Sequence, residues 1–252
     1  MGHNRLGRLP RTYRWKHVIN LLDLAAELPE IIKASMHAAQ NGLMRASHDP
    51  GLTITLTNIF KFIEAVDSKD NLKELSSRGY LDKSDDSIFG VLAKFREKVD
   101  GDLLHSKAKS DVSEIAINSF LGTLNYYVSH DTQDIFDVNA SAMANSLQNY
   151  TAKSKLPEMM HEFYSRFTKD YLDYYLSREM SNYVGSNKML ATIDQHQTFN
   201  DSFDLYIRQA VRITKEFTPG WYGKAKYEGR LNHDEVKKYA LVAFKKIVSE
   251  IR

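Results

Sequence analysis

Leu52-Thr53-Ile54-Thr55-Leu56-Thr57-Asn58-Ile59-Phe60-Lys61-Phe62-Ile63-Glu64-Ala65-Val66 is the stretch of this 252-residue chain that reads two ways. Its β-branched residues Thr53, Ile54, Thr55 and Thr57 favour a strand. Leu52, Leu56, Ile59, Phe60 and Ile63 instead recur at helical steps and share one face. The period decides for helix, and no other segment makes a case for a strand. The fold class expected is therefore all-α, a multi-helix bundle of roughly eight to ten helices.

Upstream, Thr12 caps a helix to about Glu27 with Trp15, Val18, Ile19 and Leu22 on one face. Pro29 suits the first turn of the next helix, which Ser47-His48-Asp49-Pro50-Gly51 stops. Downstream, Gly79 reads as a helix stop, and Ser84 or Asp85 opens a helix ending near Gly101. Asp111 opens another, and a weaker one covers about 133–150. The strongest periodicity runs from Pro157 to Tyr183, carried by Met160, Phe163, Phe167, Tyr171, Tyr174 and Arg178. Phe199 to Phe217 marks a second long helix ended by Pro219-Gly220, followed by a loop from Trp221 to Arg230. Asn232 with Glu235 forms a capping box for the last helix. The polar stretch 101–111 is the best candidate boundary, dividing an N-terminal helical region with a basic arm (1–111) from a C-terminal bundle (112–252).

Composition narrows the function classes. With 42% hydrophobic and 26% charged residues the chain can build a core, and no apolar run reaches the ~18 residues of a membrane span. The absence of cysteine excludes disulfides, thiolate metal sites and cysteine nucleophiles. The basic N-terminus lacks the apolar core of a secretory signal, so a soluble, cytoplasmic protein is expected.

The net charge of +2 conceals an asymmetry. Residues 1–17 carry Arg5, Arg8, Arg11, Arg14 and Lys16 with no acid, and residues 205–252 carry eleven cations against five acids, leaving −9 for the middle. Two basic ends could form one anion-binding face if they meet in the fold. They could equally dock on the acidic middle or be solvated.

Enzyme motifs are weak. His161-Glu162 lacks the second histidine of a zinc helix, since position 165 is Ser165, and reads as an exposed pair in a helix's first turn. Asp170 and Asp173, one turn apart, could share a divalent ion, with Asp194 and His196 as further candidates for a metal-dependent hydrolase. A solvated acidic face is the simpler account. Arg178 continues the aromatic stripe, so a structural ion pair with another helix is expected there. No arginine is followed five residues later by histidine, as in small helical ribonucleases. Phosphate-loop, dinucleotide and Gly-x-Ser-x-Gly motifs are also missing. No cofactor and no metal are expected.

Binding signals are stronger. In an extended arm Arg5, Arg8 and Arg11 fall on one side, a ladder of guanidiniums suited to phosphates or carboxylates. Arg14 extends the basic segment. Position six is Leu6, so Gly2 does not begin a myristoylation motif. The loop interleaves Trp221 and Tyr222 with Lys224, Lys226 and Arg230, a mixture that can stack bases or anchor a protein interface. The other reading has Trp221 and Tyr222 plugging the end of the bundle. Fourteen tyrosines are many for this length, and several should sit at the core's margin.

Gly2-His3-Asn4-Arg5-Leu6-Gly7-Arg8-Leu9-Pro10-Arg11-Thr12 with Trp15, the segment Tyr171-Leu172-Asp173-Tyr174-Tyr175-Leu176-Ser177-Arg178-Glu179, and Gly220-Trp221-Tyr222 together resemble a bacterial helical family with no assigned reaction. The resemblance implies a bacterial origin and no mechanism. The function expected is a non-enzymatic interaction subunit of a bacterial multi-protein system, by analogy including defence against mobile elements, with a protein partner at the basic ends and aromatic loop. A nucleic-acid-binding protein using the same surface is the first alternative, and no membrane contact is expected.

Overall fold

The computed structural model describes residues 9–82, 84, 87–131, 138–151, 154–180 and 193–251, without the side chains of 177–180 and 193–196. These residues form eleven helices: α1 (Tyr13–Asp23), α2 (Leu28–Ala46), α3 (Pro50–Val66), α4 (Asn71–Ser77), α5 (Ile88–His105), α6 (Asp111–Asp131), α7 (Ala140–Thr151), α8 (Leu156–Met180), α9 (Ile193–Val211), α10 (Thr214–Tyr227) and α11 (His233–Glu250). No strand occurs among the described residues; the nearest approach is an isolated bridge between Ser87 and Asn139.

The ambiguous segment is the central helix. α3 is buried nearly all round, and α4, α5, α6, α7 and α11 pack against it. Its threonines can be buried because each hydroxyl finds an acceptor within the helix: Thr55 donates to the Gly51 carbonyl (2.9 Å) and Thr57 to that of Thr53 (2.8 Å). Asp49 caps the helix by accepting from the Leu52 amide at 3.0 Å, and Pro50 occupies the first turn. The sequence signals read as a stop for α2 thus also start α3.

Local signals hold at other ends. Thr12 accepts from the Trp15 amide, and Asn232 from that of Glu235. Gly79 ends α4 with φ +81°. Elsewhere the boundaries differ. α1 stops at Asp23, short of Glu27, and α5, capped by Ser87, starts at Ile88 and runs through Gly101 to His105. Residues 101–111 hold the last turn of α5 and the turn into α6, and buried side chains on both sides belong to one hydrophobic cluster.

The largest correction concerns the segment read as a loop. The chain turns at Arg212-Ile213, and α10 continues through Pro219 to Tyr227. Proline withdraws one backbone donor from the helix. Against that, Tyr222 and Ala225 are buried, and the Trp221 ring stacks on Tyr239 at 4.2 Å and meets Phe60 at 4.9 Å. Tertiary burial outweighs the local break.

Candidate functional site

α1 lies on α2, and the segment before it, Leu9 to Thr12, leads the chain alongside. Trp15 turns inward, 3% exposed, with its ring 5.8 Å from that of Tyr175 on α8. Where α1, α2 and α8 meet, a groove of about 300 Å³ opens, with Trp15, Tyr171 and Tyr175 as its aromatic wall and Arg14, Arg45 and Asn41 as its polar residues. Gly42 makes this geometry possible, because a Cβ there would stand 2.7 Å from the Tyr171 hydroxyl oxygen. Two of the three segments quoted for the family resemblance meet at this groove, the first through Pro10, Thr12 and Trp15 and the second through Tyr171 and Tyr175.

Two shallower depressions flank α1. One, of about 310 Å³ between α1 and α2, includes Arg14, His17, Lys33 and His37; the other, of about 430 Å³, includes Arg11, Lys16 and Asn20. Across all three the cations are Arg11, Arg14, Lys16, Lys33 and Arg45, and among the described residues the only lining carboxylate is Glu30. Burial raises the Tyr171 hydroxyl pKa further than nearby Arg45 lowers it, so the groove's phenol stays neutral. Tyr13 is 84% exposed and Leu24 78%, so α1 also presents large apolar groups to solvent.

Among the described residues no carboxylate pairs with Arg14. Its guanidinium donates to the His37 carbonyl (3.0 Å) and to the Gln40 side-chain oxygen (2.7 Å). The Gln40 amide donates onward to the carbonyls of Val248 (3.3 Å) and Ile251 (2.9 Å), at the end of α11. The N-terminal basic segment and the chain's C-terminal end therefore meet across one glutamine.

The cations of the two ends have different fates. Arg11 and Lys16 are exposed and form no ion pair among the described residues. In the C-terminal part Lys215 pairs with Glu158, Lys226 with Asp67, Arg230 with Glu228 and Lys238 with Glu235. Lys224 is exposed on α10. Trp221 and Tyr222 face the core, so the aromatic loop imagined as a contact surface is a packed helix. None of Trp221, Tyr222, Lys224, Lys226 and Arg230 lines the grooves around α1. Arg5 and Arg8 lie outside the described residues, as does the side chain of Arg178.

A buried interhelical ion pair does exist, at a position the sequence reading passed over. Glu162, read as exposed, is 3% exposed and takes Arg208 of α9 at 2.6 Å and Arg166 at 2.7 Å. Arg208 also holds Asp204 at 2.6 Å. His161 beside it donates from Nε2 to the Arg208 carbonyl at 2.9 Å, and burial lowers its pKa. The Asp204–Arg208 and Glu162–Arg166 spacings are both visible in the sequence as i,i+4 pairs, whereas nothing local joins Glu162 to Arg208.

The residues considered for a metal site are arranged otherwise. Asp170 accepts from the Ser119 hydroxyl at 3.0 Å, and burial raises its pKa. Asp173 is engaged as well, and the side chains of Asp194 and His196 lie outside the described residues. Among the described residues no group of three or more metal-ligating side chains gathers, and no helix is long and apolar enough to cross a membrane. No known family, curated protein or solved structure matches the chain.

Proposed function

We propose that this protein is a non-enzymatic interaction subunit of a bacterial multi-protein system working in the cytoplasm, and that it binds an acidic protein partner along α1. The observation that carries this reading is the set of five cations, Arg11, Arg14, Lys16, Lys33 and Arg45, that line the three depressions around α1 against one lining carboxylate, Glu30, with exposed Asp23 and Glu27 outside them toward the end of α1. Such a surface attracts acidic partners over long range and repels basic ones. Exposed Tyr13 and Leu24 supply the apolar contact that charge alone does not. By analogy with other helical subunits, the system includes defence against mobile elements.

The second reading, nucleic-acid binding, draws on exposed Tyr13 beside Arg11 and Arg14, an aromatic between cations that suits stacking and phosphate contact. One experiment separates the two. The tagged full chain is isolated from its host at low salt, and protein bands and 260 nm absorbance are read on the same eluate. A stoichiometric protein free of nucleic acid, lost in the Arg11→Glu/Arg14→Glu/Arg45→Glu variant and kept in Lys237→Glu, supports the interaction subunit. Nuclease-sensitive material that dissociates steeply with salt would replace it with the second reading. A lone protein in both eluates would refute both.

A further inference from the structure

A separate cavity of about 410 Å³ opens between α3, α5, the segment after α4, and the turn from α10 to α11. Its lining brings together Lys61, Arg78, Lys98 and Lys226, from four different parts of the chain, against one lining carboxylate, Glu64. Three of these cations are braced. Arg78 pairs with Glu64 at 2.7 Å and Glu74 at 3.2 Å, Lys98 with Asp102 at 2.6 Å, and Lys226 with Asp67 at 2.5 Å. Asp102, Asp67 and Glu74 brace cations without lining the space, whereas Glu64 does both. Lys61 is exposed and has no direct ion pair among the described residues, and Asp102 feels its charge at longer range.

The wall beneath is rigid and polar. Tyr80, 1% exposed, donates to the Asn58 side-chain oxygen at 2.8 Å, and the Asn58 amide donates to Asp102 at 3.0 Å. Asn58, 3% exposed on α3, is thus tied to the carboxylate that holds Lys98. Gly229, at φ +63°, closes the turn from α10, and a Cβ built there would meet nothing within 4 Å. The backbone on that side is open to a ligand.

We propose that this cavity binds a small polyanion carrying a diphosphoryl group, with exposed Lys61, the lining cation that has no direct ion pair, as the charge that the ligand neutralises. Convergent ammonium groups act as point charges that suit clustered phosphoryl oxygens, and a cavity of this size falls in the range of small-molecule sites. The site is independent of the groove along α1 and stands whether or not a protein partner binds there.

The test is calorimetric titration and thermal melting of the full chain with inorganic pyrophosphate, ADP and, at matched ionic strength, sodium sulfate. Pyrophosphate should raise the melting temperature beyond sulfate and bind with a measurable heat. Lys61→Glu, an exposed substitution compatible with folding, should weaken binding at least tenfold, and Lys237→Glu should leave it unchanged. Tighter binding of ADP would identify a nucleotide as the source of the diphosphoryl group, and tighter binding of pyrophosphate a free polyphosphate. A pyrophosphate response no larger than that of sulfate, or one retained in Lys61→Glu, would overturn the proposal.

Discussion

Gln40 donates its side-chain amide to the backbone carbonyl of Ile251 at 2.9 Å, across 211 residues of chain. The same side chain accepts from Arg14 at 2.7 Å. One residue on α2 therefore positions a cation of the proposed binding face and supplies a donor to the carbonyls that end α11.

Replacing Gln40 with Ala should lower stability by about 1–2 kcal/mol in denaturant unfolding, the value of a few partly buried hydrogen bonds. Amide exchange around 248–251 should quicken as the end of α11 loosens. Gln40→Glu separates the two roles, since it keeps an acceptor for Arg14 and loses the donor to Ile251. Exchange at 248–251 indistinguishable from the parent in both variants would contradict this account.

Glu162→Gln should be far more damaging than its place in a run of polar residues implies. The glutamate carries two arginines from a site almost closed to water, so neutralising it leaves two guanidiniums without their shared partner. Loss of a buried partner costs about 3–5 kcal/mol, and the partial exposure of both arginines brings the expectation to about 2–4 kcal/mol. An urea midpoint unchanged in the variant would show that solvent carries the arginines instead.

What the sequence made legible was local. Thr12, Gly79 and Asn232 act through bonds to residues three or four positions away, and those readings stand. α3 was legible because period survives where composition misleads, its threonines being satisfied inside the helix. Pro219-Gly220 misled for the converse reason, because what keeps α10 going is Tyr239, eighteen residues past Trp221, and Phe60 far upstream. Glu162 was missed because its burial depends on Arg208. In the candidate site Arg11 and Arg14 were visible as cations, but the groove also needs Gly42, Arg45 and Tyr171 from two other helices.

Two single-atom changes of opposite sign test the backbone. Gly51 sits where an added Cβ would lie 2.4 Å from the Ala108 carbonyl oxygen and 2.9 Å from Ser113 Cβ, so Gly51→Ala should destabilise by at least about 1–3 kcal/mol. Ala25 closes α1 in the left-handed region at φ 48°, with the Ala26 amide donating to the Leu21 carbonyl at 3.0 Å. Glycine takes that conformation without strain, and Ala25→Gly should stabilise by roughly 0.5–1 kcal/mol. Paired melting curves check both signs at once.

His161 makes stability depend on mild acid. Burial holds its pKa below the ordinary 6.5, so the unfolded chain takes up a proton in the window where the folded chain does not. Its contribution is complete above about pH 6.5 and falls as the pH drops toward the lower folded value. His161→Gln should flatten the melting temperature between pH 7 and pH 5 relative to the parent. An equal slope in both proteins would place the dependence elsewhere.

The edge contact between Phe60 and Tyr239, ring centroids 5.2 Å apart, has a consequence for the chain as it is being made. Some 180 residues separate the two, and ribosomes add about 5–20 residues per second, so α3 emerges roughly ten to forty seconds before the helix that completes its packing. Throughout that interval the most apolar helix of the protein has an open seam. A nascent chain stalled or cut before α11 would leave the Tyr239 side of Phe60 uncovered, a target for chaperones and proteases.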